Sequence, residues 1–418
     1  MSQEIVEQPA KEMPEMTTVI LKMTNLRLHA SGVFSNVYRG TVLEPKPQRE
    51  IAIKKTWPES KDRERNFEMI FLTGISRKKH KNIVQMIFAF SNRVGKDNKI
   101  CESFVFDFLP DTLASVIKRE VLDDTDIKIY TWQLFNGLRY LSMQHQIVHR
   151  DIKPLNVLID HPLALLKIGD FGSAKIVRRL MKSTAYQVTR FYRPPELLLG
   201  SEYYNWTVDL WSAGCVVGEM LRGNVLFPGR HGRHQLKLIF LCLGSPTDED
   251  VKLMKVPTKI VSNGRVVIGT GLAQLCPHAD QGMIELLAKV LVYRPNDRLY
   301  GRQLLMHPAF ASILKEGTKR SNGQLVSTVI TPEDIKDVED DTGDKVVEIA
   351  VTHEMKKKLD FACDDIRKPS KTKVKQRVVP SEKKSPPMSK ATEEATQATL
   401  PSIEQPMPAR APKKSPPK

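Results

Sequence analysis

The hydrophobic periodicity of this chain changes once, near residue 123, and that change limits the folds it can adopt. Before this point, short strand-like runs alternate with turns, as at 37–42, 50–56 and 103–108. After it, apolar residues recur three or four positions apart, which is the spacing of one helix face; they are Ile127, Tyr130, Leu134, Leu138 and Leu141. The pattern therefore predicts an α+β chain, β-rich first and mainly α-helical afterwards.

Length and cysteine usage narrow the class of protein. With 418 residues, of which 41% are hydrophobic, the chain can bury a large core and form more than one lobe. Its five cysteines lie far apart and include no C-x-x-C pair, which is typical of a reducing compartment. The first residues are acidic and polar, and no apolar stretch reaches the roughly 20 residues that a membrane span requires. We expect an intracellular protein, cytoplasmic or also nuclear, without a membrane segment.

The net charge of +16 is concentrated at the C-terminus. Residues 366–418 contain 13 Lys and Arg against 4 acids, so +9 of the charge lies there, within a Pro-, Ser- and Lys-rich segment that includes KKSPP twice. This composition predicts a disordered basic tail. The remaining charge of about +7 is spread over 365 residues and predicts no specific nucleic-acid partner.

The strongest chemical signal is His-Arg-Asp-Ile-Lys-Pro-Leu-Asn at 149–156, followed fourteen residues later by Asp-Phe-Gly at 170–172. Phosphoryl transfer needs a carboxylate that accepts the proton of the attacking hydroxyl, and oxygen ligands for a metal ion between the phosphates. Asp151 suits the first role, and Asn156 with Asp170 suits the second. Lys153 would stabilise the charge that develops on the transferred phosphate.

A second lysine lies upstream, at the end of the strand-like run Ile-Ala-Ile-Lys at 51–54. This pattern places Lys54 against the α- and β-phosphates of a nucleotide, with a glutamate of the following helix as its partner. Glu68 is our choice, and Glu64 remains a rival because the spacing to the HKNIV run at 80–84 leaves the register open.

Other motifs predict residues that shape or support the site. The run 104–110 indicates a buried strand that leads into a linker, where the backbone at Asp107 and Leu109 would meet an adenine edge. Glu196 and Arg298 are expected to form a buried ion pair. Asp209 is expected to support the loop that carries Asp151.

Together, these motifs resemble the eukaryotic protein kinases over residues 24–310. Within them, the runs 170–175, 186–193 and 211–215 are similar to the glycogen synthase kinase-3, or shaggy, family of the CMGC group, of which this chain would be a divergent member. The resemblance implies a bilobal fold with ATP in the cleft between the lobes. It also sets the expected boundaries: a flexible leader at 1–23, an N-lobe at 24–106, a C-lobe at 107–310, an extension packed on or near the kinase domain at 311–365, and the tail.

The resemblance further implies a protein serine/threonine kinase that uses ATP and Mg²⁺ and acts on protein substrates, including pre-phosphorylated ones, as a monomeric catalytic unit. The implied nucleotide-binding residues are His29, Ala30, Ser31, Gly32, Val33, Phe34, Ser35, Asn36, Val37, Ala52, Lys54, Glu68, Asp107, Leu109, Asn156 and Leu158. Tyr186 would be the activation-loop phosphosite. The implied phosphate-binding residues are Arg150, Lys175, Arg190 and Arg193.

Several positions depart from the family pattern. Ala30 and Ser35 replace the first and third glycines of the glycine-rich loop, where glycine permits close backbone approach to phosphates. Phe67 stands where the family has an arginine of its substrate-phosphate pocket, if Glu68 is the true glutamate. Leu155 replaces a glutamine, and Lys237 occupies an apolar position of the scaffold-binding helix. The altered loop leaves a pseudokinase or scaffold as the alternative function.

Overall fold

The computed structural model describes residues 4–32, 35–57, 67–94, 99–119, 122–176, 181–182, 189–257 and 266–341. The two lobes that the family resemblance implies are both present in it, and the order predicted from the periodicity, β-rich first and mainly helical afterwards, is confirmed. None of the helices within these ranges is both long and apolar enough to cross a membrane.

The first lobe is a closed antiparallel barrel with strand order β1-β2-β3-β4-β6-β5. Its strands are β1 Val6–Glu12, β2 Thr17–Ser31, β3 Ser35–Glu44, β4 Arg49–Thr56, β5 Met86–Val94 and β6 Lys99–Asp107. Apolar side chains fill the interior, among them Leu21, Val42 and Ile51, each 0% exposed. The barrel closes because β1 pairs with β2 along its whole length and with β5 at Lys11 and Glu12.

This closure corrects the expected leader. Residues 6–23 are not a flexible segment, since β1 and the first half of β2 form part of the barrel wall. Ala10, Leu21 and Met23 point inwards and are buried, whereas the alternate side chains face outwards and are largely polar. Every second residue of these strands is therefore mostly polar, as in a flexible segment. Pro9 within β1 makes the strand pattern in the sequence weaker still.

The helix α1 Phe67–Arg77 lies between β4 and β5 along the chain. Most of its length packs into the core, with Met69, Leu72 and Ile75 at most 1% exposed. The segment that follows it is bonded to the second lobe, because the amide of Asn82 donates to Gln133 Oε1 at 2.8 Å and to the carbonyl of Leu166 at 3.0 Å. The position of α1 is thereby linked to the second lobe.

The second lobe is mainly helical, with a core around Trp132 and Trp211, which are both 0% exposed. Its helices are α2 Leu113–Arg119, α3 Asp124–His145, α4 Pro195–Leu198, α5 Thr207–Arg222, α6 Gly232–Leu243, α7 Asp248–Leu253, α8 Leu272–Leu275, α9 Gln281–Val290, α10 Gly301–Leu305, α11 Ala311–Leu314 and α12 Pro332–Glu339. Its short strands are β7 Asp111–Thr112, β8 Ile147–Val148, β9 Val157–Asp160, β10 Leu165–Ile168, β11 Lys175–Ile176, β12 Met181–Lys182 and β13 Tyr203–Tyr204. Asp123 caps α3, accepting a hydrogen bond from the backbone N–H of Asp126.

Residues 311–341 pack against this lobe. The Arg320 guanidinium donates to both carboxylate oxygens of Asp126 at 2.6 and 3.2 Å, and both side chains are buried. From α12, Asp334 pairs with Lys81 and Asp337 with Arg139. The rest of the expected extension, 342–365, and the tail, 366–418, lie outside the described residues.

Candidate active site

Three charged side chains meet between the lobes. Lys54 lies on β4 next to β6, and its Nζ donates to Glu68 Oε1 at 2.6 Å and to Asp170 Oδ1 at 2.8 Å. The structure thus pairs Lys54 with Glu68 of α1, while the rival Glu64 lies outside the described residues. One ammonium connects the first lobe, the helix and the Asp-Phe-Gly motif.

Burial and charge oppose each other within this triad. Burial would lower the pKa of Lys54, but the two carboxylates outweigh it and raise that pKa above its ordinary value. Burial also opposes ionisation of Asp170, yet the Lys54 ammonium holds the pKa of this carboxyl below its ordinary value. For Glu68, which is 7% exposed, burial dominates and raises the pKa. Lys54 and Asp170 therefore both favour their charged forms.

The Asp151 carboxylate accepts hydrogen bonds from three side chains. Lys153 Nζ donates to Oδ2 at 2.6 Å, Asn156 Nδ2 donates to the same oxygen at 2.9 Å, and Thr189 Oγ1 donates to Oδ1 at 2.6 Å. Asp151 itself is partly buried, and its side chain is 13% exposed. A hydroxyl of an incoming molecule can take the place of Thr189 at Oδ1.

The loop that carries Asp151 is held from below by Asp209 of α5. Its two carboxylate oxygens accept the backbone N–H groups of His149 at 2.6 Å and Arg150 at 2.8 Å. Burial raises the pKa of Asp209, while these backbone hydrogen bonds favour its ionised form. Because Arg150 has a φ of 64°, in the left-handed region, the two bonds stabilise a turn that the sequence alone disfavours.

Asn156 and Asp170 supply oxygen atoms suited to a metal ion. Among the described residues, neither the amide oxygen of Asn156 nor Oδ2 of Asp170 accepts a hydrogen bond. Two protein oxygens are enough for Mg²⁺, which keeps several waters and binds phosphate oxygens directly. No group of three or more His, Cys, Asp or Glu side chains suited to a metal occurs in the described ranges, so a cage made wholly of protein ligands is not available there.

The glycine-poor loop connects β2 and β3, and hydrogen bonds join its two described ends. Gly32 N–H donates to the carbonyl of Ser35 at 2.9 Å, and Ser31 Oγ donates to Asn36 Oδ1 at 2.8 Å. Ala30 pairs with Val37 across the two strands. Val33 and Phe34, at the tip, lie outside the described residues.

His29 contacts the linker between the lobes rather than standing alone. Its ring meets the Phe108 ring edge-on, with centroids 5.3 Å apart, and the Arg39 guanidinium lies 4.1 Å from the centroid of the same ring. Asp107, the last residue of β6, is exposed, and Leu109 of the linker is partly buried. Because His29 lies on β2, this ring contact holds the end of β2 close to the linker.

Two further residues expected to bind the nucleotide lie on strands of different lobes. Ala52 pairs with Phe106 across β4 and β6, and Leu158 lies on β9 of the second lobe. A Cβ built on Gly169, the residue before Asp170, would lie 3.5 Å from Leu158. Leu155 is 62% exposed beside Asn156.

The expected phosphate-binding residues are not all in one place. Arg150 Nε donates to the carbonyl of Ser173 at 2.6 Å, and Arg190 Nη1 donates to the carbonyl of Arg230 at 2.7 Å. Lys175 lies on β11, paired with Val148, and Arg193 ends the short turn that starts at Arg190. Tyr186 lies outside the described residues.

Sequence reasoning missed Thr189. Its hydroxyl lies beside the Asp151 carboxylate, but it is 38 positions from Asp151 along the chain and occurs in no motif that assigns it a role. The sequence signal that could have identified Thr189 is its position, as a residue with a hydroxyl group directly before the Arg-Phe-Tyr-Arg run at 190–193.

Comparison with known proteins agrees with this geometry. The sequence profile of the protein kinase domain matches residues 26–310. A Caenorhabditis elegans protein that carries the name of a serine/threonine-protein kinase, gskl-1, is 32% identical over 358 residues, which cover 84% of this chain and 96% of that protein. Glycogen synthase kinase 1 of Pyricularia oryzae is 32% identical over 305 residues, 72% of this chain and 75% of the relative. Protein kinase gsk3 of Schizosaccharomyces pombe is 31% identical over 310 residues, 73% and 78% of the two chains.

All three relatives carry kinase names, and these comparisons do not favour the pseudokinase alternative. The chain belongs to the protein kinase domain family and is a serine/threonine-protein kinase of the glycogen synthase kinase-3 type, a class of enzyme that uses ATP and a divalent metal ion.

Proposed function

We propose that this kinase transfers the γ-phosphate of Mg²⁺-bound ATP to serine or threonine hydroxyls of other proteins, with Asp151 as the catalytic base. The observation that carries the proposal is the set of hydrogen bonds at Asp151, which accepts from Lys153, Asn156 and Thr189. Thr189 Oγ1 lies 2.6 Å from Oδ1, within hydrogen-bond reach, which is the distance at which a base takes a proton.

Lys54 binds the α- and β-phosphates in this scheme, and Glu68 holds its ammonium in place. Such a prealigned cation costs no rearrangement when charge develops, which is the main source of catalysis in phosphoryl transfer. Lys153, whose ammonium lies 2.6 Å from the base, stabilises the transferred phosphate.

Asn156 and Asp170 would hold the magnesium ion through their two oxygens that accept no hydrogen bond from the described residues. When bound, the ion neutralises charge on the transferring phosphates. Mg²⁺ fits better than Ca²⁺, which takes six to eight oxygen ligands.

The direct test is label transfer from ATP to a generic basic protein by wild type and by Asp151→Asn. We expect the variant to lose at least about a hundredfold in kcat, because a positioned base contributes typically 10²–10⁴. The matched control is Asp160→Asn, since Asp160 caps only the turn at Leu163. Equal label incorporation by wild type and Asp151→Asn refutes the assignment.

We further propose a reduced preference for pre-phosphorylated substrates, implied by the family resemblance. Phe67, at the position of the family's third pocket cation, is 61% exposed and stacks on Phe71 with centroids 6.5 Å apart. One charge-assisted contact, of order 1.5–3 kcal/mol, is then missing. One peptide with and without a priming phosphate, assayed with wild type and Phe67→Arg, tests this. A strong wild-type preference that Phe67→Arg leaves unchanged contradicts it.

We place the enzyme inside the cell, in the cytoplasm and the nucleus, as a monomeric catalytic unit. Four buried free cysteines, Cys101, Cys215, Cys242 and Cys276, support a reducing compartment. Size-exclusion chromatography with light scattering tests the monomer, and fluorescence of the tagged full chain tests the location.

A further inference from the structure

Two long segments of this chain contain no acidic residue. Residues 171–195 carry six Lys and Arg, and residues 220–247 carry four more, with no Asp or Glu in either segment. These ten positive charges exceed the net charge of about +7 for the chain before the tail. The charge of the folded part is therefore not diffuse, as its overall value suggested, but concentrated in these two segments.

The fold brings the two segments into contact. Arg190 Nη1 donates to the carbonyl of Arg230 at 2.7 Å, and Gln235 Nε2 donates to the carbonyl of Phe191 at 3.1 Å. Gln235 is buried and also accepts the N–H of Gly229 at 2.9 Å, so it fixes the start of α6 against the turn at 190–192. The described residues 189–193 and the start of α6 therefore lie next to each other. We call the surface that they form the α6 basic surface and define it by Arg190, Arg230, His231 and Arg233.

This surface exposes its charges. Arg190, Arg230, His231 and Arg233 are all exposed, and the side chains of Arg230 and Arg233 make no ion pair with any described residue. Arg233 lies in the first turn of the 12-residue helix α6, whose N-terminus adds a partial positive charge at the same place. Together they attract negative charge.

The surface also adjoins the position of the phosphate acceptor. Thr189 precedes Arg190, and its hydroxyl donates to the base Asp151 at 2.6 Å. A protein segment whose hydroxyl reaches Asp151 therefore passes close to Arg190 and the start of α6.

We propose that the α6 basic surface binds acidic segments of protein substrates, runs of Asp and Glu on one side of the accepting Ser or Thr. This inference rests on the proposed function and specifies its substrate class. Residues 366–418 carry a net charge of +9, which has the same sign as this surface. A single-stranded nucleic acid fits less well, because such partners need exposed aromatic rings for stacking, whereas Tyr192 and Phe227 are buried and Phe191 is partly buried.

The test uses three peptides with the same acceptor: a neutral one, one with four Glu before the acceptor, and one with four Glu after it. We expect kcat/KM for one acidic peptide to exceed that of the neutral peptide at low salt, with the advantage decreasing as salt is raised. In Arg230→Gln/Arg233→Gln, the acidic-to-neutral ratio should fall by about fivefold, the size expected for two exposed charge pairs. Arg302→Gln removes an exposed arginine of α10 and should leave the ratio at its wild-type value.

The inference is overturned by equal kcat/KM for all three peptides, by an acidic preference that the double variant retains, or by a preference that Arg302→Gln reduces equally. Inhibition of neutral-peptide phosphorylation by single-stranded RNA, lost in the double variant without any acidic preference, would reassign the surface to nucleic acid and also overturn it. If no peptide is phosphorylated, the proposed function fails instead, so the two failures are distinguishable.

Discussion

Glu196→Gln should be among the most destabilising conservative substitutions in this chain. Arg298 Nη1 and Nη2 each donate to one oxygen of Glu196 at 2.7 Å, and Arg298 also donates to the carbonyls of Thr207 and Val292 at 3.0 and 3.3 Å. The two side chains are 0% and 1% exposed, so no water can replace the lost charge. Removing one partner of a buried pair costs about 3–5 kcal/mol, because the other charge stays uncompensated.

A second Arg–Glu pair of this chain provides the control. Arg39 Nη2 donates to both oxygens of Glu50 at 2.9 and 2.8 Å, but the side chains are 29% and 56% exposed. Glu50→Gln should therefore cost less than about 1 kcal/mol. Urea unfolding of wild type and both variants measures the two free energies. If both substitutions cost the same within about 1 kcal/mol, the argument that burial decides the energy is refuted.

Three further outcomes are expected. Restoring glycine at Ala30 and Ser35 together should lower the KM for ATP by roughly threefold, because the backbone can approach the phosphates more closely; an unchanged or higher KM contradicts this. Burial lowers the pKa of His80 to about 4, so the unfolded chain binds the extra proton and stability is lost as pH falls from about 6.5 to 4. The free energy of unfolding should fall by about 3 kcal/mol over this range. In His80→Gln the urea concentration at the unfolding midpoint should change less with pH, and an equally steep decline in the variant would show that His80 is not the group responsible. Truncation after Asp365 should keep kcat within about twofold, because the removed segment is poor in core residues, whereas truncation after Lys319 also removes Arg320 and should unfold the second lobe; loss of activity on the shorter truncation refutes the first expectation.

The parts of the structure that motifs encode were predictable from the sequence. The two-lobed α+β fold and the kinase family were both confirmed. The contacts of Glu196 with Arg298 and of Asp209 with the catalytic loop also match their expectation. Each of these residues belongs to a short motif, and the motifs follow one another along the chain in the order typical of protein kinases. Their identification therefore did not depend on assigning the exact start of a helix or strand.

The remainder depends on contacts between distant positions. The strands at 6–23 are stabilised by pairing with other strands around a closed barrel. The only signal in their sequence is therefore an alternation of buried and exposed residues, which is weak. The choice between Glu64 and Glu68 depends on where α1 begins, and helix starts are the least reliable part of a sequence-based assignment. The concentration of positive charge at α6 could not be predicted from the sequence, because it depends on the contact between two segments that are far apart along the chain.

The closed barrel determines which expression fragment can be used for biochemistry. A fragment that starts at residue 26, where the family profile begins, lacks β1 and nine residues of β2. It would leave β5 without its partner at Lys11 and Glu12 and expose the apolar cluster around Val42 and Phe88. Unpaired strand edges next to exposed apolar surface are templates for aggregation. Recombinant protein intended for kinetic work should therefore begin no later than Val6, with any purification tag fused ahead of that strand.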